Sequence, residues 1–173
     1  MMYWIHPDHP DAHRIFYSHL RQLTTRYNKK KAPLAFVCIG SPLVLGDCLG
    51  PIIGTILSQN QCRHVYGTLA QPIHALNLST ACMQLNATDE PPFVIAIDAA
   101  LGTTAQTGYI TIKKGPLFPG KGVGKKLPPI GDIQITGVFD DLTTPSATHL
   151  LASFGRCISA GLLQLDTAFQ CAK

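Results

Sequence analysis

A layered α/β fold around a largely parallel sheet is what this chain predicts, and three observations predict it. Residues 34–39 and 93–97 are continuous apolar runs, the pattern of parallel strands buried on both faces. Stretches with helical spacing of apolar residues alternate with the strand-like runs. At 173 residues and 46% hydrophobic, the chain suits one domain with a sizeable core and is too short for two ordinary ones.

Taken in order, residues 1–31 read as a helical appendage and residues 32–173 as the α/β domain. His6-Pro7-Asp8-His9-Pro10 breaks regular structure, and residues 11–28 then place Ile15, Phe16, Leu20 and Leu23 on one helical face, with Asp11 as its cap. His6, His9 and His13 read as surface histidines, because Pro7 and Pro10 forbid a regular ligand-bearing face. The first core strand is 34–39. A helix follows from near Pro51, whose missing N–H costs nothing in a first turn, and turns Ile52, Ile53, Ile56 and Leu57 inward. Residues 63–66 read as a short strand, 76–85 as a helix and 93–97 as a strand. Residues 108–112 and 133–138 are β-branched strands separated by a Gly/Pro/Lys-rich loop at 113–131, read as a substrate-facing flap because so long a loop in a compact domain is usually functional. The last element is a helix over 145–168, capped by Thr144 and opened by Pro145, with a stripe through Leu150, Leu151, Phe154, Ile158, Leu162, Leu165 and Phe169.

Composition narrows the function. The net charge of +4 comes from 14 basic and 10 acidic residues, and apart from Lys29-Lys30-Lys31 and Lys125-Lys126 the basic ones are scattered, so no nucleic-acid partner is expected. Six cysteines without C-x-x-C spacing indicate a reduced, cytoplasmic protein. The first residues lack the features of a signal peptide, and no stretch approaches the ~20 apolar residues that span a bilayer, so no membrane association is expected. The glycine-rich loop lacks the G-x-x-x-x-G-K-[ST] phosphate cradle, and the reading carries no cofactor and no metal.

The chemistry is sought in acids at strand exits, since ligands of open α/β sheets bind outside the carboxyl ends of the strands. Asp98 ends the run Phe93-Val94-Ile95-Ala96-Ile97, and Asp47 follows Gly40-Ser41 in the loop before the Pro51 helix. Desolvation would raise the pKa of Asp98, while a helix amino terminus would favour an anion at Asp47. Two carboxyls so divided could activate a water with one and protonate a departing amine with the other. Each could equally cap a helix or pin a loop. His74, in Pro72-Ile73-His74-Ala75-Leu76-Asn77, is a supporting residue or a structural one. Cys48 could be a nucleophile with His74 as its base, or a small buried residue. Asp132 is a weaker supporting acid, and Asp140-Asp141 reads as a turn.

Taken together, Cys38-Ile39-Gly40-Ser41, Gly46-Asp47-Cys48-Leu49-Gly50-Pro51, Val65-Tyr66-Gly67-Thr68-Leu69, Pro72-Ile73-His74-Ala75-Leu76-Asn77-Leu78, Ala96-Ile97-Asp98-Ala99, Gly115-Pro116 with Gly122-Val123, and Leu127-Pro128-Pro129-Ile130-Gly131-Asp132-Ile133 resemble the YyaC-type sporulation proteins of endospore-forming bacteria. The resemblance covers about residues 33–137. That group is similar to the spore germination protease and, more distantly, to hydrogenase maturation proteases. It implies a three-layer α/β/α sandwich of the phosphorylase/hydrolase-like type, and Asp47 and Asp98 match the proposed catalytic pair of the germination protease. Cys48 stands where hydrogenase maturation proteases carry a nickel-binding acid. The expectation is a sporulation-associated, peptidase-like protein of the mother-cell or forespore cytoplasm, cleaving a protein or peptide substrate with Asp47 and Asp98. Two rivals are a non-catalytic regulatory protein using the flap, and a metallopeptidase with Asp47, Asp98 and His74 as ligands.

Overall fold

The computed structural model describes residues 2–87, 89–120 and 127–171. In chain order the elements are β1 (Met2–Ile5), α1 (Ala12–Tyr27), β2 (Leu34–Cys38), a 3-10 turn (Gly46–Cys48), α2 (Leu49–Gln59), β3 (Val65–Tyr66), α3 (Leu78–Asn86), β4 (Phe93–Leu101), β5 (Ile110–Lys114), β6 (Ile133–Phe139) and α4 (Ser146–Gln170). They build one sheet in the order β1-β5-β6-β4-β2-β3. β6, β4, β2 and β3 are parallel, and β5 and β1 add an antiparallel edge.

Alternation along the strands divides the core in two. Phe36, Cys38, Ile95, Ile97, Ile110, Ile112, Ile133 and Ile135 face α1, α2 and α4. Burying each large side chain there stabilises the fold by about 1.5–3 kcal/mol. The opposite face carries smaller residues, Ala35, Val37, Ile39 and Ala96, which meet Leu78, Ala81 and Leu85 of α3. Leu117 and Ile130, bridged antiparallel, also pack on this face. The result is a three-layer α/β/α sandwich with one thick and one thin helical layer.

Several boundaries differ from the sequence reading. The first 31 residues are no appendage: β1 pairs with β5, and Phe16 and Leu20 of α1 are fully buried against the same core as α4. Four residues before a Pro-containing turn are too few to show strand periodicity, and an amphipathic helix does not reveal which surface it covers. Asp11 makes no side-chain cap; its carboxylate accepts from Arg14 instead. Pro145 occupies the cap position of α4. The base of the 113–131 loop is fixed, with Gly115 N–H donating to Asp132 O and Leu117 N–H to Ile130 O. Residues 121–126, the centre of the expected flap, lie outside the described residues.

Candidate active site

The carboxyl ends of β4 and β2 converge with the bridging segment at Ile73. Cys38 is level with Ile97, and Ile39 N–H donates to Ile97 O at 2.7 Å. Ile39 in turn bridges Ile73, and Gly40 N–H donates to Ile73 O at 2.8 Å. One step beyond the last paired residues, Asp98 therefore stands level with Ile39 and Ile73, and His74 comes next. Asp98 lies two residues past Ala96, so its side chain emerges on the thin face beside α3.

Asp47 reaches the same place by a tight loop. Gly40 has φ +147°, and a Cβ there would run into the carbonyl oxygen of Asp47, so only glycine lets the chain fold back so closely. The fold-back lets Ser41 N–H donate to Asp47 Oδ2 at 2.7 Å. Gly46 N–H donates to Leu142 O at 2.7 Å and moors the 3-10 turn to the connection leading into α4. Asp47 thus sits immediately before α2, near its positive end.

His74 is held by its own loop. Its N–H donates to Asn77 Oδ1 at 2.8 Å, while Asn77 Nδ2 donates to Pro72 O at 2.9 Å. His74 Nδ1 accepts from Leu76 N–H at 3.3 Å, so the neutral ring carries its proton on Nε2.

The two carboxyls hold protons unequally. Burial, and secondarily the charge of Asp47, push Asp98 well above the ordinary carboxyl range; the bond from Ala99 N–H to Oδ1, at 2.9 Å, opposes this. Asp47 is also raised by burial, with the Ser41 N–H and the nearby His74 pulling it back down. Mutual influence of this kind makes the titration a property of the pair. Of the two, Asp98 is the more readily protonated.

The remaining acids and the thiol separate from this cluster. Asp132 precedes β6 by one residue, whereas Thr136 is the residue level with Asp98. Four residues at ~3.3 Å each set Asp132 about 13 Å back along the strand. Its Oδ2 accepts from Val94 N–H at 2.8 Å and its own N–H donates to Val94 O at 2.7 Å, so it clasps the start of β4, away from Asp98. Asp141 Oδ1 accepts from the N–H and hydroxyl of Thr143, a turn. Cys48 donates its thiol to Val44 O, and burial together with neighbouring Asp47 raises its pKa, which disfavours a thiolate nucleophile. Among the described residues no three His, Cys, Asp or Glu side chains form a group that could hold a metal ion.

Thr136 was not legible beforehand. It lies opposite Asp98 on one side and Thr111 on the other, and the two threonine hydroxyls share a hydrogen bond of 2.5 Å. Alternation along β6 shows that Thr136 opposes the isoleucines, but only the β4–β6 register brings it to Asp98.

Residues 5–152 match the sequence model of a family described as protein of unknown function DUF1256. The chain belongs to this family. It is also 45% identical over 108 residues to the uncharacterized protein YyaC of Bacillus subtilis (strain 168), covering 61% of this chain. The match spans about half, 53%, of that relative's length. Among the described residues no helix is long and apolar enough to cross a membrane.

Proposed function

We propose that the protein hydrolyses a peptide bond, with Asp47 as general base and Asp98 as general acid. The observation that carries this reading is the pair itself: two carboxyls from distant parts of the chain, electrostatically coupled at the strand ends, with Asp98 holding its proton more tightly. The resemblance of the Asp47 and Asp98 segments to the spore germination protease adds support, and on that resemblance the substrate is a protein of the developing spore in the mother-cell or forespore cytoplasm.

Asp47, whose carboxylate accepts from the Ser41 N–H, takes a proton from a water whose oxygen adds to the scissile carbonyl carbon. Asp98 gives its proton to the amide nitrogen as the C–N bond breaks, releasing an acid and an amine. Asp47 is then protonated and Asp98 ionised, and one proton passing between them through solvent restores the starting state. His74 stands near the base without entering the covalent steps.

The test is cleavage of extracted spore proteins by wild type, Asp47→Asn and Asp98→Asn, with circular dichroism confirming the fold. Either substitution is expected to lower the rate by roughly 100-fold or more. Undiminished cleavage in either variant overturns the proposal, and binding without cleavage by wild type supports the regulatory alternative.

A further inference from the structure

We infer that the cleft between α3 and the free edge of β3 binds an extended, uncharged stretch of polypeptide as an added strand and leads it to the acid pair. This deepens the proposed hydrolysis and rests on it for the fate of the peptide, though not for its binding.

The cleft encloses about 400 Å³, within the range of ligand sites. Val65, Tyr66 and Ile73 line it from the sheet side, Thr80, Ala81 and Gln84 from α3, and His74 belongs to the same lining. His74 is also the residue whose proximity acts on the Asp47 carboxylate, so the cleft lies beside the proposed chemistry.

β3 is the last strand of the sheet on this side. Phe36 N–H donates to His64 O at 2.8 Å, and Phe36 is level with Val65. In a parallel ladder with that phase, Val65 itself is skipped, and its N–H and C=O point away from β2 toward the open edge. An unpaired donor and acceptor at a sheet edge are what an extended peptide pairs with.

The side chains around this edge fit an uncharged main chain better than a charged ligand. Apart from His74 the lining has no ionisable side chain except the Tyr66 phenol, so no lysine, arginine or carboxylate draws an ion. Gln71, Thr80 and Gln84 supply amide and hydroxyl groups that make no side-chain hydrogen bond to protein among the described residues. Such groups can both donate to and accept from peptide units.

The test is amide hydrogen exchange on full-length Asp98→Asn, with and without a pool of short uncharged peptides of random sequence, alongside cleavage of the same pool by wild type. Slowed exchange at Val65, Tyr66 and Gly67 is expected. It should disappear when Val65→Pro removes the outward N–H, a change that leaves the β2 ladder intact and that an edge strand tolerates. In cleavage, Val65→Pro should raise KM ~10-fold with kcat little changed, the loss of about one hydrogen bond. Thr80→Trp, which fills the cleft from the surface of α3, should do the same and serves if the proline variant does not fold. Protection at β3 without cleavage upholds the cleft and counts against the hydrolase. Cleavage with no protection, and with KM unmoved in Val65→Pro or Thr80→Trp, overturns the cleft and leaves the hydrolase standing. Neither protection nor cleavage also overturns the cleft.

Discussion

Toward α1, α2 and α4 the sheet presents Phe36, Ile95, Ile97, Ile133 and Ile135, all fully buried; the alternate residues on the other face are Ala35, Val37, Ala96, Asp98, Gln134 and Thr136. The same strands supply both sets. On the thick face large apolar side chains interlock with three helices, and stability comes from area removed from water. On the thin face small residues leave room, one short helix covers part of the surface, and polar groups gather where β4 and β6 run on together. Rigidity on one side thus holds in place a site on the other that would be costly to build within a dry core.

The comparison is broken most forcefully on the thick side. Phe154 is fully buried, meets Phe139 edge to face with centroids 5.2 Å apart, and fills the space over Gly137. Phe154→Ala should cost about 3–5 kcal/mol, read as a lower denaturant midpoint. A smaller effect belongs to the far end of the strands, where Asp132→Ala removes the clasp on Val94 and should cost about 1 kcal/mol while leaving cleavage of spore proteins unchanged.

The third prediction reverses the sign. Asp98 has a folded-state pKa raised by burial and by Asp47, so the stability tied to its retained proton is complete below its unfolded pKa, about 3.9, and is lost as pH rises through the raised value. Asn cannot ionise. Asp98→Asn should therefore raise the melting temperature at neutral pH, with the gain shrinking as pH falls and vanishing below about pH 4. A melting temperature lowered at pH 7 would show that the ionised carboxylate is welcome where it stands.

How much of this was legible in the sequence follows the same division. The α4 stripe through Phe154, Ile158 and Leu162 and the runs of β2 and β4 declare themselves, because burial imposes a period that composition cannot hide. Asp47 and Asp98 stand out as acids at apolar strand exits. What the sequence withholds is pairing. Asp132 and Asp98 look alike as acids beside β-branched runs, and only register puts one at the start of a strand and the other at its exit. Thr136 and the outward-facing Val65 are invisible for the same reason, and β1 is hidden because Met2–Ile5 makes sense only beside β5. Cys48 misleads differently: burial, and secondarily the neighbouring Asp47, raise its pKa, so closeness to the acid adds to what argues against its reactivity.

The central claim is that Asp98 keeps its proton where Asp47 gives its up, and that each senses the other. Carbon-13 NMR titration of the two carboxyls measures this directly. Asp98 should titrate well above Asp47 and well above the ordinary value, and its midpoint should fall when Asp47→Asn removes the neighbouring charge. An Asp98 that titrates in the ordinary carboxyl range, or a raised midpoint that does not move in Asp47→Asn, would contradict the account.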